Sequence, residues 1–269
     1  MKRLSFYIIF YLLFILTNPT FSKSTTFHVG EVYSGTVKFS FVNYDLPSGE
    51  WELFDKYYLS FDELPTIRLE CLGFVQTEKN TIKGAYEICD LRLGGLASNQ
   101  IGSFFVSEYK TGRYDSCILR PEYYYTNLFT KGGSSNCFIT RHIDVNKEVY
   151  FPDDPNEHAS IAKLEKFLKR NNLILPKTML VAGSGIFVPS IKDKGIFVSY
   201  AINPELFGAP KVINGVEEKS EYHRNNIEDF PEQKNFLRNW TIEQTSNHKK
   251  FEKLLKIRSY HKLDFSDLN

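Results

Sequence analysis

Alternating apolar and polar residues, broken by turn residues, run through the first half of the chain from Thr25 to about Tyr150. Residues 36–42 alternate as a strand with one buried face does. A turn is predicted at residues 45–50, and residues 51–59 begin the next strand. Further strand patterns lie at residues 66–75, 82–91, 101–109 and 137–145. The first half is therefore predicted to be a mostly antiparallel β-structure.

An acidic cluster marks the change to helical spacing. Asp154 as N-cap, Pro155 at the first helical position and Glu157 at the third form a capping box. A metal ion could instead be bound by the ligand-type residues of the cluster, which are Asp153, Asp154, Glu157 and His158. Calcium ligands need a loop, however, and these residues enter a helix. We therefore predict a helix that ends at residues 171–172, and no metal site.

Two later strands are predicted at residues 178–182 and 195–202. The Gly-Ser-Gly triplet between them, residues 183–185, matches neither the nucleophile elbow of hydrolases nor a phosphate-binding loop. We interpret it as a bulge or a bend in the strand. A turn-rich connection is predicted at residues 203–210.

A second helix is predicted from a cap at residues 229–232 to about Arg258. Its apolar residues at helical spacing are Phe236, Trp240, Phe251, Leu254 and Leu255. The last part, residues 248–258, is basic and amphipathic, so it could dock on an anionic membrane surface. Cations at the end of a helix also suit the helix dipole, and Glu252 interrupts the basic stretch. We therefore favour a helix packed on the protein over membrane contact.

The first 22 residues have the order of a secretory signal peptide. Two basic residues precede an apolar run at residues 4–16, and Ser22 is the expected cleavage point. The alternative is an uncleaved anchor in the inner membrane, which requires about 20 apolar residues and therefore a longer run. We expect residues 1–22 to be removed and residues 23–269 to form a single α+β domain in the periplasm or outside the cell.

Charge and composition narrow the classes of partner. The formal net charge is +1, with both signs interspersed, so no global field favours nucleic acid or an anionic membrane. The 23 Phe and 16 Tyr residues are assigned to packing in a β-core rather than to a stacking surface. No cofactor motif stands out, and we expect no cofactor.

All four cysteines follow the signal segment, and an even count in an exported chain indicates disulfides. Four cysteines allow three pairings. An antiparallel hairpin would set Cys71 opposite Cys89, and Cys117 and Cys137 are symmetric about Asn127. We therefore expect the bonds Cys71–Cys89 and Cys117–Cys137. The alternative is four buried free thiols.

His142 and Asp144 lie two residues apart on a predicted strand and so share one face. Such a pair can hold a catalytic base and the carboxylate that orients it. No activated nucleophile is identifiable beside the pair, and a structural cross-strand pair is commoner. An envelope hydrolase that uses His142 and Asp144 is therefore the alternative, and a non-enzymatic protein is the expectation.

Several short patches resemble uncharacterised exported bacterial proteins. They are residues 46–51 (LPSGEW), Cys137 with His142, residues 203–208 (NPELFG), Tyr222 with His223, and Trp240 in its helix. The resemblance implies a bacterial exported protein and brings no activity with it. We therefore expect an exported, non-enzymatic binding or structural protein, whose partner is an envelope protein or a small ligand.

Overall fold

A computed structural model describes residues 26–40, 42–61, 64–93, 117, 123–131, 134–145, 166–188, 194–214 and 217–255. The strands in this part of the chain are β1 (Val32–Tyr33), β2 (Thr36–Phe39), β3 (Val42–Asp45), β4 (Trp51–Phe61), β5 (Leu64–Glu78), β6 (Thr81–Leu93), β7 (Tyr123–Lys131), β8 (Ser134–Asp144), β9 (Thr178–Val188) and β10 (Lys194–Ile202). The signal segment, the strand at residues 101–109 and the helix start at Asp154, with the alternative metal ligands beside it, lie outside the described residues.

Eight of these strands form one antiparallel sheet in the order β1-β4-β5-β6-β10-β9-β8-β7. The pair β6 and β10 joins the strands β1-β4-β5-β6 to the strands β10-β9-β8-β7. This pair is in register from Gly84 opposite Ile202 to Asp90 opposite Ile196. With one long helix and few helical residues elsewhere among those described, the protein is an α+β fold, as the pattern predicted.

The strand predicted at residues 36–42 is wrong in its extent. Ser40 has a positive φ of 54°, and the chain reverses there, so that Phe39 lies opposite Val42 in a small separate sheet of β2 and β3. Thr36 donates a hydrogen bond to the Asp45 carboxylate across this hairpin, at 2.8 Å. The buried positions change parity across the turn, since β2 buries Val37 and Phe39 whereas β3 buries Val42 and Tyr44.

The hairpin of β5 and β6 turns at Lys79 and Asn80, which both have positive φ. Cys71 lies directly opposite Cys89 in its register, and the two form a disulfide with Cα atoms 4.1 Å apart. This is the pairing that the hairpin argument predicted.

Cys117 and Cys137 form the second expected disulfide, with Cα atoms 6.0 Å apart. The hairpin assumed for them is wrong, however. β7 and β8 are paired from Tyr123 opposite Arg141 to Lys131 opposite Ser134, so their hairpin is not symmetric about Asn127. Cys137 faces Leu128 in this register, and the bond ties Cys117 to β8 from outside the strands.

The Gly-Ser-Gly triplet does not bend or bulge its strand, contrary to the prediction. β9 pairs with β8 and with β10 without a register shift through residues 183–185. A Cβ on Gly183 would lie 3.0 Å from Ile139, so the missing side chain there permits close packing against β8.

The two faces of the sheet carry separate cores. One face is covered by the β2–β3 sheet and by the long helix (Pro231–Leu254), and its core includes Trp51, Tyr44, Phe74, Phe138 and Leu237. The opposite face is covered in part by a helical segment at residues 166–171, through Phe167 and Leu168. That segment ends at Asn172, which has a φ of 51°, as predicted.

The long helix begins within the predicted segment 229–232. Phe230 is its N-cap and makes no side-chain cap hydrogen bond, because Asp229 belongs to a preceding 3-10 turn. Phe251 and Leu255 are buried against the sheet, which is the packed arrangement we favoured, whereas Leu254 is exposed. Of the helices that the structure describes, none combines the length and apolar character needed to cross a bilayer.

Candidate functional site

A groove of about 460 Å³ lies between the first half of the long helix and the loop at residues 207–210. The helix contributes one continuous stripe at the spacing i, i+3, i+4, i+7, i+8, i+11, which is the face that a helix presents to one neighbour. The stripe consists of Glu232, Asn235, Phe236, Asn239, Trp240 and Glu243. Two carboxylates therefore stand at the ends of the stripe, with amides and aromatic rings between them.

The opposite wall is a rigid turn. Asn203 accepts a hydrogen bond from the backbone N–H of Glu205 at 3.2 Å and begins a 3-10 helix, Pro204–Phe207. Gly208 ends it with a φ of 88°, a conformation that favours glycine. The Glu205 carboxylate accepts a hydrogen bond from the N–H of Val212 at 2.7 Å and closes the loop. Phe207 is thereby held on the groove with 38% of its surface exposed.

The floor of the groove is connected to the core of the sheet. The Trp240 ring is 6.3 Å from that of Tyr200, and Tyr200 is in turn 6.1 Å from Trp51, which is fully buried. Burial raises the pKa of Tyr200, and the negative charge of Glu243 raises it further. The Glu243 carboxylate therefore lines the groove and also influences Tyr200, which lies beneath the Trp240 ring.

A second polar cluster, the buried relay, lies beneath the other half of the helix. The Nδ1 of His248 is 3.0 Å from the hydroxyl of Ser184, and its Nε2 is 2.8 Å from Oδ1 of Asn136. Asn136 donates its amide hydrogen to Glu252 at 2.6 Å. Since the Asn136 oxygen can only accept, His248 carries its proton on Nε2, and its Nδ1 accepts the Ser184 proton.

This bonding order is that of a nucleophile, a base and an orienting amide, but the relay is enclosed. His248 is fully buried, Asn136 is 1% exposed and Ser184 is 5% exposed. Burial lowers the pKa of His248 to about 3, and the neighbouring charge of Lys249 contributes to the same effect. The imidazole is therefore neutral and weakly basic, and the relay fixes the helix on β8 and β9.

The residues that the sequence singled out for catalysis lie elsewhere. His142 is fully buried at the end of β8, with its ring 5.6 Å from that of His223 in an edge-to-face contact. Asp144, two residues further along β8, is partly exposed. Neither residue lines the groove. Among the described residues, therefore, His142 is enclosed and Asp144 is partly exposed, and the hydrolase alternative stays a prediction.

Cys71, Glu87 and Cys89 are the described side chains whose ligand-type atoms cluster within 4.8 Å of one another. The disulfide consumes both thiolates, which are the sulfur ligands that metals select. The cluster is thus part of a cross-linked hairpin and has no free sulfur ligand for a metal.

The groove was not among the sites predicted from the sequence. Residues 203–208 and Trp240 were noticed for a resemblance, and the structure brings these two patches together. A stripe of acid, amide and aromatic residues at helical spacing was the available signal. The same spacing also fits a helix packed on the protein, and Phe236 and Trp240 were predicted to belong to that packed apolar face.

Comparison with known proteins matched the chain to no family model, no curated protein and no solved structure.

Proposed function

We propose that this is an exported, non-enzymatic protein that binds a ligand in the groove between the long helix and the loop at residues 207–210. The carrying observation is the groove itself: a concave surface with an exposed Phe207, rigid walls, and polar groups that converge on an aromatic floor. Ligand sites generally have this combination of apolar lining and few placed polar groups.

A binding role is favoured over hydrolysis because the nucleophile and base that do meet are enclosed. Ser184 and His248 lie between the sheet and the helix, whereas a hydrolase needs a carbonyl group within about 3 Å of its nucleophile. His142 is likewise buried. The groove offers Glu232 and Glu243 as carboxylates, but they are separated by eleven positions of the helix, too far for joint catalysis at one atom.

Export is supported by the two disulfides, since such bonds persist in oxidising compartments. Together with the signal-like residues 1–22, they favour release into the periplasm or the medium. An uncleaved anchor would leave the same domain outside the inner membrane. Mass spectrometry of the protein from the producing cell distinguishes the two, because cleavage after Ser22 gives a new N-terminus.

The binding role is tested by NMR on residues 23–269 labelled with ¹⁵N, using a library of small neutral, cationic and anionic fragments. We expect at least one class to shift the amides of the groove, and Phe207→Ala to reduce that shift. Ile213→Ala is the matched control, because Ile213 is 69% exposed and does not line the groove. A library that leaves the groove amides unmoved would contradict the proposal.

The hydrolase alternative is tested by a fluorophosphonate probe, which labels activated serines. We expect no labelling of Ser184 in the folded protein, because its hydroxyl is enclosed. Labelling that Ser184→Ala abolishes would establish an accessible nucleophile and overturn the non-enzymatic assignment.

A further inference from the structure

We propose that the ligand of the groove is an extended peptide segment with two basic side chains four residues apart and an apolar side chain midway between them, so that all three share one face. This inference rests on the proposed binding role and specifies its ligand.

The spacing of the basic side chains follows from the spacing of the groove carboxylates. Glu232 and Glu243 are separated by eleven helical positions, or about 16 Å along the axis. An extended peptide advances about 3.3 Å per residue and points alternate side chains to one face, so residues four apart share a face and lie about 13 Å apart. The length of two basic side chains covers the remaining distance. A peptide that runs along the groove can thus place one cation at each end.

The charge of the groove selects cations. Within the part of the chain that the structure describes, neither Glu232 nor Glu243 forms an ion pair, and the lining residues include no lysine or arginine. Two basic residues beside the lining residues are paired with carboxylates outside the groove. Lys234 is 2.6 Å from Glu228, and Lys83 is 2.9 Å from Glu78 while it covers the Phe207 ring at 5.3 Å.

The middle of the groove suits a peptide better than a sugar. Stacking on a pyranose requires an open ring face, but Trp240 is 6% exposed and Lys83 covers the Phe207 ring. An apolar side chain needs only the exposed part of Phe207, which is 38% exposed. Asn239 donates to Asn235 at 3.5 Å, a long bond that both amides can exchange for the N–H and C=O groups of a peptide backbone.

The test uses blocked hexapeptides on residues 23–269. The first peptide has lysine at positions 1 and 5, phenylalanine at position 3 and alanine elsewhere, so that the three side chains share one face. Matched peptides replace both lysines with glutamine or with glutamate, or move the lysines to adjacent positions. We expect the first peptide to bind most tightly by calorimetry, to shift the groove amides in NMR spectra, and to weaken as salt rises.

The decisive variant is the double substitution Glu232→Gln with Glu243→Gln. We expect it to weaken binding of the first peptide about tenfold and to leave the glutamine peptide unaffected. Glu50→Gln with Glu218→Gln removes the same charge from exposed residues outside the groove and should leave the Kd unchanged. All four residues are at or near the surface, so the folded state is expected to survive in both variants.

Two results separate failure of the ligand class from failure of the binding role. Equal affinity for the lysine and glutamine peptides, or tighter binding of a neutral trisaccharide, at the groove amides overturns the dibasic ligand and keeps the site. No shift of the groove amides by any peptide, sugar or fragment overturns both.

Discussion

Asn136 is the residue on which the buried relay depends, because it is bonded on both sides. Its oxygen accepts from His248, and its amide donates to Glu252. The substitution Asn136→Ala leaves the His248 N–H unpaired in a buried site. A buried donor without a partner costs about 1–3 kcal/mol, and the cavity adds to this cost. We expect the free energy of unfolding to fall by about 2–4 kcal/mol in urea titrations.

Ser246→Ala provides the comparison on the same helix, because Ser246 is exposed. It should change the free energy of unfolding by less than about 0.5 kcal/mol. If Asn136→Ala unfolds at the same urea concentration as this control, the relay does not hold the helix.

The pKa of His248 predicts acid sensitivity. The unfolded imidazole has a pKa near 6.5 and the folded one about 3, so between these values the unfolded chain binds a proton that the folded chain does not. The contribution of the buried, neutral His248 to the free energy of unfolding is therefore complete above pH 6.5 and is lost as the pH falls toward 3. At pH 5 the loss amounts to about 2 kcal/mol relative to pH 7.5.

Urea titrations of the wild type and of His248→Gln, at pH 7.5 and at pH 5, measure this contribution. The substitution removes the titrating group, so the difference between the two pH values should shrink by about 2 kcal/mol. An unchanged difference would assign the acid sensitivity to other groups.

At the scale of elements, the β5–β6 hairpin shows what sequence reasoning can reach. Alternation gave its two strands, and the turn at Asn80 set the register that places Cys71 opposite Cys89. Both are local signals. The helix start within residues 229–232 was also predicted, although Asp229 itself is held in a 3-10 turn. The bulge at residues 183–185 was wrong, because the triplet pairs in register with two neighbouring strands. Tertiary pairing overrides local preference there.

The disulfide between Cys71 and Cys89 should stabilise the folded protein beyond the stabilisation that comes from the pairing of β5 with β6. The bond closes a loop of 18 residues, which in the chain-entropy model corresponds to about 3 kcal/mol. We expect Cys71→Ala with Cys89→Ala to lower the free energy of unfolding by about that amount while the circular dichroism spectrum at 25 °C is retained.

The corresponding double substitution at Cys117 and Cys137 is the matched comparison, since that loop has a sequence separation of 20 residues. Chain entropy predicts a similar loss. If Cys71→Ala with Cys89→Ala lowers the free energy of unfolding by well below about 1 kcal/mol, the unfolded chain is already restricted around the β5–β6 hairpin without the bond.

At the scale of the whole molecule, the sheet is joined at the pair β6 and β10, whose partners lie more than a hundred residues apart in the chain. Such a pairing could not be derived from sequence, because each strand pattern is compatible with many partners. The groove could not be derived either, because it forms only where the loop after β10 packs beside the long helix. Only their local parts, the turn at residues 203–210 and the helix, were predictable.

The continuous sheet predicts that the chain folds as one unit. A fragment of residues 23–145 would leave β6 without β10 and the sheet face without the long helix. We expect the fragments 23–145 and 146–269 to lack dispersed amide spectra separately. Dispersed spectra from either fragment alone would show two independent domains.

The position of the two disulfides has a consequence for the order of folding. Chains emerge N-terminus first, so all four cysteines are available once residue 137 has emerged, when β9, β10 and the long helix have not yet followed. Both cross-links can therefore close on a half-finished sheet, with β6 as an open edge. Until β10 arrives, another nascent copy can pair with that edge, so the interval between residues 93 and 194 is the period of greatest risk for aggregation.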